Sequence, residues 1–324
     1  MKKFLSLVLA FVLLCMVFTG CGANENTATI RIGSLKGPTS LGLLYLMEES
    51  RQGDSKNSYE FQMAAAADEL LPLMVKGELD MALVPANVAS VLYSKTEGGV
   101  SVIDINTLGV LYMVSGDTTI TSVSDLSGKT IYLTGKGATP DYVLHYVLSG
   151  NGLEENDYTL EYKSEATEVA ALLAENPDAI GLLPQPFVTV ACAQNENLSV
   201  VLDMNQEWNA LQGEHGSSLV TGVTVVRNAF LQENEEAVKT FLKEHAESTD
   251  AINADPATGA KYAVAAEIIA KEPIAEKAIP KCNITCVTGQ DMKQALEGYL
   301  QVLFEQAPAS VGGALPEEGF YYVP

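Results

Sequence analysis

Apolar and polar positions alternate along this chain in a pattern that predicts short strands followed by helices. The first hundred residues hold three such pairs, each a strand and then a helix: 29–33 and 40–50, 59–64 and 69–76, 79–84 and 87–95. Strands that alternate with helices in this way are typical of a mostly parallel sheet covered by helices.

The same alternation begins again near residue 130. Strands are predicted over 130–134, 158–162, 178–183 and 198–202, with helices between them over 139–149, 165–175 and 185–194. After a strand-like stretch at 219–226, helices dominate, over 236–253, from 256 onward and over 291–306. His245 lies on the apolar face of one of these helices, so we expect it to be packed rather than catalytic.

Two sets of strand–helix units followed by a helical tail predict an α/β fold with two lobes. A chain that leaves the first lobe near 111–115, builds the second lobe and recrosses near 219–226 ends on the first lobe. We therefore assign 29–115 together with 221–324 to lobe 1, and 116–220 to lobe 2. The two crossing strands would form a hinge, and a cleft would lie between the lobes.

The N-terminus is predicted to be an export signal. Lys2 and Lys3 precede an almost unbroken apolar run over 4–18. This run is shorter than the roughly 20 residues that a membrane-spanning helix needs. A short basic start and an apolar run of this length are typical of a secretory signal, here assigned to 1–20.

The residues that follow this run add a second feature. Thr19-Gly20-Cys21 resembles the lipobox of bacterial lipoproteins, although Phe18 stands where members of that class usually carry Leu. The resemblance implies that Cys21 is lipidated and that 21–28 form a tether. The protein would then be extracytoplasmic and held to the bacterial cell membrane by its lipid alone. The alternative is a plain secretion signal with an incidental cysteine.

The charge of the chain excludes one class of partner. The net charge is −22, and loss of Lys2 and Lys3 with the signal would make the protein more acidic still. Nucleic-acid binding needs a basic surface, so we expect no nucleic-acid partner. The global charge says little about a small ligand, because local dipoles can oppose it.

The cysteine and histidine spacings indicate no metal site. Apart from Cys15 in the signal and Cys21, the chain has Cys192, Cys282 and Cys286. The last two are too far apart for a disulfide if the segment is extended, and can be bridged only if it turns. We expect reduced, buried thiols. No CxxC pair or histidine spacing matches a zinc site, so we predict no metal and no cofactor.

Several segments resemble solute-binding proteins of ABC importers, in the group that binds sulfonates, nitrate, taurine and thiamine precursors. They lie at 32–40, 76–85, 125–131, 182–186, 312–316 and 320–322, and so extend over nearly the whole mature chain. The resemblance implies a type 2 periplasmic-binding-protein fold that acts as a monomer. It also implies a small-molecule ligand held between closing lobes, and an ABC permease with its ATPase as the partner.

The candidate ligand-binding residues lie where predicted strands give way to helices. Ligands of open α/β sheets bind at the carboxyl ends of the strands, where helix starts offer free N–H groups and partial positive charge. The candidates are Ser34, Lys36, Gly37, Thr39, Ser40, Asn87, Gly137, Thr139 and Gln185. Such helix starts favour an anionic group.

Each of these positions also has a purely structural interpretation. Thr39 or Ser40, Asn87 and Thr139 are expected to cap helices whether or not a ligand is present. Lys36 can be a solvated surface charge. For Trp208, the single tryptophan, packing is favoured over stacking on a ligand.

The sequence favours a binding protein over an enzyme. No GxSxG, HExxH or Walker motif is present. A few enzymes share such a fold, including a pyrimidine synthase, but the cysteine-rich motif of that synthase is absent. A surface sensor that is not coupled to transport stays open. Sulfonate, nitrate, bicarbonate-like anions and thiamine-precursor pyrimidines all stay open as ligands.

Overall fold

Eleven strands form the two sheets of the described chain. A computed structural model describes residues 29–212 and 217–324. The strands are β1 Thr29–Leu35, β2 Ser58–Ala64, β3 Met81–Pro85, β4 Val100–Leu108, β5 Leu111–Ser115, β6 Thr130–Leu133, β7 Thr159–Tyr162, β8 Ile180–Pro184, β9 Ser199–Asp203, β10 Val220–Arg227 and β11 Ile284–Val287.

Twelve α-helices surround these sheets within the same residues. They are α1 Leu44–Gln52, α2 Ala67–Lys76, α3 Ala86–Lys95, α4 Thr139–Gly150, α5 Ala166–Glu175, α6 Phe187–Gln194, α7 Met204–Gln212, α8 Asn228–Glu233, α9 Glu235–Ala254, α10 Pro256–Ala265, α11 Glu272–Ala278 and α12 Gly289–Gln306. Short 3₁₀ turns lie at Pro38–Leu43, Val123–Leu126, Ile279–Lys281, Pro308–Val311 and Glu318–Phe320.

The first sheet is mixed and has the strand order β11-β4-β10-β3-β1-β2. Strand β1 pairs in parallel with β2 and β3, as the strand–helix alternation predicts. Strand β10 returns from the second lobe and lies antiparallel between β3 and β4. Lobe 1 consists of this sheet and its helices, in residues 29–108 and 217–324.

The second sheet has the order β7-β6-β8-β5-β9. Strand β6 is parallel to β7 and β8, whereas β5 is antiparallel to β8 and β9. Lobe 2 therefore consists of residues 111–212. The expectation that residues 111–115 belong to lobe 1 is corrected, because the backbone of β5 pairs with β8 and β9 of the second sheet. The first crossing is the short link Gly109–Val110.

The predicted fold class is confirmed: each lobe is a sheet flanked by helices. One buried apolar cluster continues from lobe 1 into lobe 2, and includes Val84 and Val223 on one side and Leu133 and Leu182 on the other. No helix among the described residues is both long and apolar enough to cross a membrane.

Candidate functional site

The two lobes touch at a hydrogen bond between buried side chains. Thr139, at the start of α4 in lobe 2, donates from Oγ1 to Oδ1 of Asn87 in lobe 1 at 3.1 Å. Asn87 in turn donates from Nδ2 to the carbonyl of Ser310 at 3.4 Å. Both side chains are buried. A second contact across the lobes joins the Tyr112 hydroxyl to the carbonyl of Lys281 at 3.2 Å.

Neither Asn87 nor Thr139 caps its helix, which corrects the expectation from the sequence. Helix α3 begins at Ala86, so Asn87 is already its second residue. Helix α4 begins at Thr139 itself, and Ala138 precedes it in extended backbone. The side chains are free to meet across the cleft because they do not turn back onto their own backbones.

The loop after β1 holds the first group of predicted residues. Ser34 is buried within β1, and its backbone is paired with β2. Gly37 has extended backbone immediately before the 3₁₀ turn. Ser40 donates its hydroxyl to the carbonyl of Leu35, so it holds the loop rather than a ligand.

Lys36 and Thr39 behave differently within this loop. Lys36 Nζ lies 2.7 Å from Oε2 of Glu267 in an ion pair, which neutralises the charge expected to attract an anion. Thr39 is buried, and its Oγ1 has no hydrogen-bond partner among the described residues. The side chain of Thr39 lies so close to Gly222 that a Cβ there would come within 2.5 Å of it. Residue 222 must therefore stay small for β10 to pass this loop.

The loop before α4 contacts a carboxylate of that same helix, Asp141. The Gly137 N–H donates to Asp141 Oδ2 at 2.7 Å. Asp141 Oδ1 accepts from the Tyr162 hydroxyl at 2.6 Å and lies 3.3 Å from His145 Nε2. Burial alone would raise the pKa of Asp141, but the hydrogen bonds from His145, Gly137 and Tyr162 hold it below its usual value. The same contact with Asp141 raises the pKa of His145. A negative charge already occupies this helix start.

Gln185 precedes α6 and is almost fully buried. Its Oε1 accepts from the Thr189 hydroxyl at 2.9 Å and from the Thr189 N–H at 3.3 Å. A free N–H group of α6 is thus satisfied within the protein, as at α4. The helix starts at Gly137 and at Gln185 therefore have less capacity for an anion than the sequence indicates.

A cavity of 590 Å³ lies between the lobes, next to the loop that contains Gln185. Lobe 2 lines it with residues of α5 and α6, and lobe 1 lines it with the end of α10 and the loop that follows. The lining residues are Thr167, Ala170, Ala171, Pro186, Phe187, Val190, Gln194, Val264, Glu267, Ile268, Ile269 and Ala270. Most are apolar, and Glu267 is the one charged residue among them.

This cavity has the properties of a ligand site. Clefts of several hundred Å³ with apolar walls and a few polar groups are typical of small-molecule sites. A molecule here would touch both lobes at once, because the walls come from both. Phe187 and Ile268 could not be predicted as lining residues, because nothing in a linear pattern places the end of α10 against α6.

Trp208 lies at the base of the lobe junction and is fully buried. Its indole N–H donates to the carbonyl of Ser217 at 2.9 Å. The rings of Tyr146 and Tyr299 pack on it with centroids 4.5 and 5.5 Å away. Trp208 packs α4, α7 and α12 together, as favoured from the sequence, and does not face the cavity.

Comparisons with known proteins agree with this architecture. A family model described as NMT1/THI5 like matches residues 65–259. No curated protein sequence matches the chain. An ABC transporter protein from Parabacteroides distasonis is 22% identical with a TM-score of 0.76, over 91% of this chain and 98% of that one.

Two further solved structures have the same fold at lower identity. The periplasmic aliphatic sulphonate binding protein SsuA from Escherichia coli is 14% identical, with a TM-score of 0.72 over 91% of this chain and 92% of that one. The periplasmic nitrate-binding protein NrtA from Synechocystis is 11% identical, with a TM-score of 0.59 over 87% and 82%.

Proposed function

Because the chain belongs to the NMT1/THI5-like family, we propose that it is the solute-binding component of an ABC importer. It captures a small metabolite outside the cytoplasmic membrane and delivers it to a permease with its ATPase. The observation that carries this proposal is the cavity of 590 Å³ whose walls come from both lobes. The binding proteins of similar fold support it.

The mechanism is closure of the lobes around the ligand. A ligand that touches α5 and α6 on one side and residues 264–270 on the other has more contacts in the closed form than in the open one. Only such a difference in contacts can shift the equilibrium toward closure. The hydrogen bond between Thr139 and Asn87 forms in the same movement.

We propose a neutral or cationic heteroaromatic ligand rather than a small anion. Among the residues that the structure describes, no lysine or arginine lines the cavity, and Lys36 is paired with Glu267 at its edge. The apolar walls, which include Phe187, suit a flat ring. Among the ligands left open by the sequence, thiamine-precursor pyrimidines fit these properties better than sulfonate or nitrate.

We further propose that the protein is anchored through a lipid on Cys21. This residue lies outside the described part of the chain, and the proposal is based on the lipobox-like sequence alone. Mass spectrometry of the membrane fraction tests it. A diacylglycerol-modified Cys21 as the mature N-terminus is expected, and an unmodified N-terminus before residue 21 would contradict it.

The binding proposal is tested by filling the cavity. Ala171 is exposed and lines the cavity, so Ala171→Phe places a ring inside it. Ala193→Phe is the matched control, because Ala193 is exposed on α6 outside the lining. Both variants are expected to keep their unfolding free energy within about 0.5 kcal/mol.

Calorimetry and thermal shift then compare aminopyrimidines, alkanesulfonates and nitrate. A ligand at 100 times its Kd stabilises by about 2.7 kcal/mol, which a melting curve detects easily. We expect a pyrimidine to stabilise the unmodified protein and the Ala193→Phe variant, and binding to fall more than tenfold in Ala171→Phe. Binding of nitrate or sulfonate alone would contradict the ligand class. Equal binding to both variants would contradict the cavity.

A further inference from the structure

Three residues far apart in the sequence meet inside lobe 1, away from the cavity between the lobes. Asp104 lies on β4, His245 on α9 and Cys286 on β11. One ligand atom from each lies within 4.8 Å of the other two. The side chains of Asp104 and His245 are fully buried, and Cys286 is partly buried. A carboxylate, an imidazole and a thiol are brought together where water has little access.

The spacing of this group fits a tetrahedral metal ion. His245 Nδ1 lies 3.3 Å from Asp104 Oδ2. Zinc bonds to nitrogen and oxygen are roughly 2.0–2.2 Å long, so two such ligands of a tetrahedron are about 3.3 Å apart. Within the described part of the chain, Cys286 Sγ has one weak polar contact, 4.0 Å from the carbonyl of Leu242. The thiol is therefore not committed to another strong partner.

One ligand of the group is held by a neighbouring side chain, as in the outer shell of a metal site. Asp104 Oδ1 accepts from the hydroxyl of Thr224 at 2.8 Å, which fixes the carboxylate. His245 Nε2 and Thr249 Oγ1 are buried, and neither has a hydrogen-bond partner among the described residues. Both approach Gly42, where a Cβ would lie 3.2 Å from Nε2 and 2.9 Å from Oγ1. With a metal on Nδ1 the ring proton is carried by Nε2.

We propose that Asp104, His245 and Cys286 form a binding site for a divalent zinc-like metal ion. The donor set of one thiolate, one imidazole and one carboxylate suits zinc better than magnesium or calcium, which prefer oxygen alone. The charges also balance: a thiolate and a carboxylate neutralise the two positive charges of the ion. A neutral centre has a small desolvation cost in a buried site.

Metal binding at this site releases protons to solvent. The metal takes the place of the proton on the Cys286 thiol, and this proton leaves to solvent. The bond that breaks is S–H and the bond that forms is S–metal, with no change of oxidation state. The prediction of no zinc site from local spacing differs from this proposal, because residues 104, 245 and 286 share no local motif.

Cobalt is the probe for this site, since a thiolate bound to Co²⁺ has an intense charge-transfer absorption. The chelator-treated full chain is titrated with Co²⁺ and then with Zn²⁺. We expect one equivalent of Co²⁺ to produce the thiolate band and one equivalent of Zn²⁺ to abolish it. In Cys286→Ser the band should vanish and the affinity should fall by more than the 10- to 100-fold typical of outer-shell changes. Cys192→Ser, which alters a half-buried thiol in lobe 2, should behave as the unmodified protein.

Circular dichroism and melting curves show whether each variant is folded. If Cys286→Ser does not fold, Asp104→Asn takes its place, because it removes one ligand at constant volume and must weaken Co²⁺ binding in the same way. Absence of the thiolate band in the unmodified protein would overturn the proposal. So would a band that persists in Cys286→Ser, or unchanged affinity in a folded Asp104→Asn variant.

Discussion

The hydrogen bond between Thr139 and Asn87 makes a quantitative prediction about the closed arrangement of the lobes. The two side chains belong to different lobes, are neutral and are 7% and 6% exposed. A hydrogen bond of 3.1 Å between such groups contributes about 0.5–1.5 kcal/mol. Thr139→Val keeps the shape but leaves Asn87 Oδ1 without its donor, so the single variant should cost about 1–3 kcal/mol of unfolding free energy.

A double-mutant cycle isolates this bond from the other contacts of Asn87. Urea unfolding of the unmodified protein, Thr139→Val, Asn87→Ala and the double variant yields the coupling energy, expected at about 1 kcal/mol. The control cycle uses Thr189→Val and Gln185→Ala, a buried pair within lobe 2 at 2.9 Å. This pair should couple by a similar amount whatever the lobes do.

Comparison of the two coupling energies tests whether the lobes touch through this hydrogen bond in solution. Sites that do not touch usually add within about 0.3–0.5 kcal/mol. A coupling below that range for Thr139 and Asn87, with normal coupling in the control pair, would refute a closed contact between the lobes in solution.

Two further predictions concern the lobe junction and the loop before α4. Trp208→Ala should lower the free energy of unfolding, measured in urea, by about 3–5 kcal/mol. Fluorescence emission from this one tryptophan should be blue-shifted in the unmodified protein, because its ring is fully buried. Emission typical of an exposed indole would contradict this burial. His145→Gln should destabilise most between about pH 4 and 6.5. The pKa of Asp141 is lowered in the folded protein, so Asp141 contributes stability above about pH 4. The pKa of His145 is raised, so its contribution is complete below about pH 6.5 and is lost as pH rises through the pKa of the folded state. A difference between the two proteins that stays the same from well below pH 4 to well above pH 6.5 would exclude the ion pair.

The sequence predicted the strand–helix units well because each has its own local pattern. Strands β1 to β3 and their helices begin and end within a few residues of the predicted bounds. Strand β4 was missed because all but its last residue are buried and it does not alternate. Its polar side chains form hydrogen bonds with residues of other elements, as Asp104 does with Thr224 and His245. Strand β5 was assigned to the wrong lobe, since pairing partners cannot be read from one segment.

The candidate site was only partly predictable for a similar reason. Asn87 and Thr139 were expected to cap helices or contact a ligand, and a bond between the two lobes replaces the capping role that local chemistry favours. The Gly137 loop has a motif suited to anions, and only the fold reveals that Asp141 already fills it. The wall formed by residues 264–270 comes from a region without any distinctive motif. Hydrogen-bond partners far apart in the chain decide which candidates remain free for a ligand.

The position of β10 between β3 and β4 has a consequence for synthesis on the ribosome. Lobe 2, residues 111–212, is a single uninterrupted segment, and all of its strands are available before β10 emerges. In the first sheet, by contrast, the position between β3 and β4 stays empty until β10 has been synthesised. The order of assembly therefore differs from the order of translation: the middle of the polypeptide can fold early, whereas the first sheet is complete only after β10 has been made.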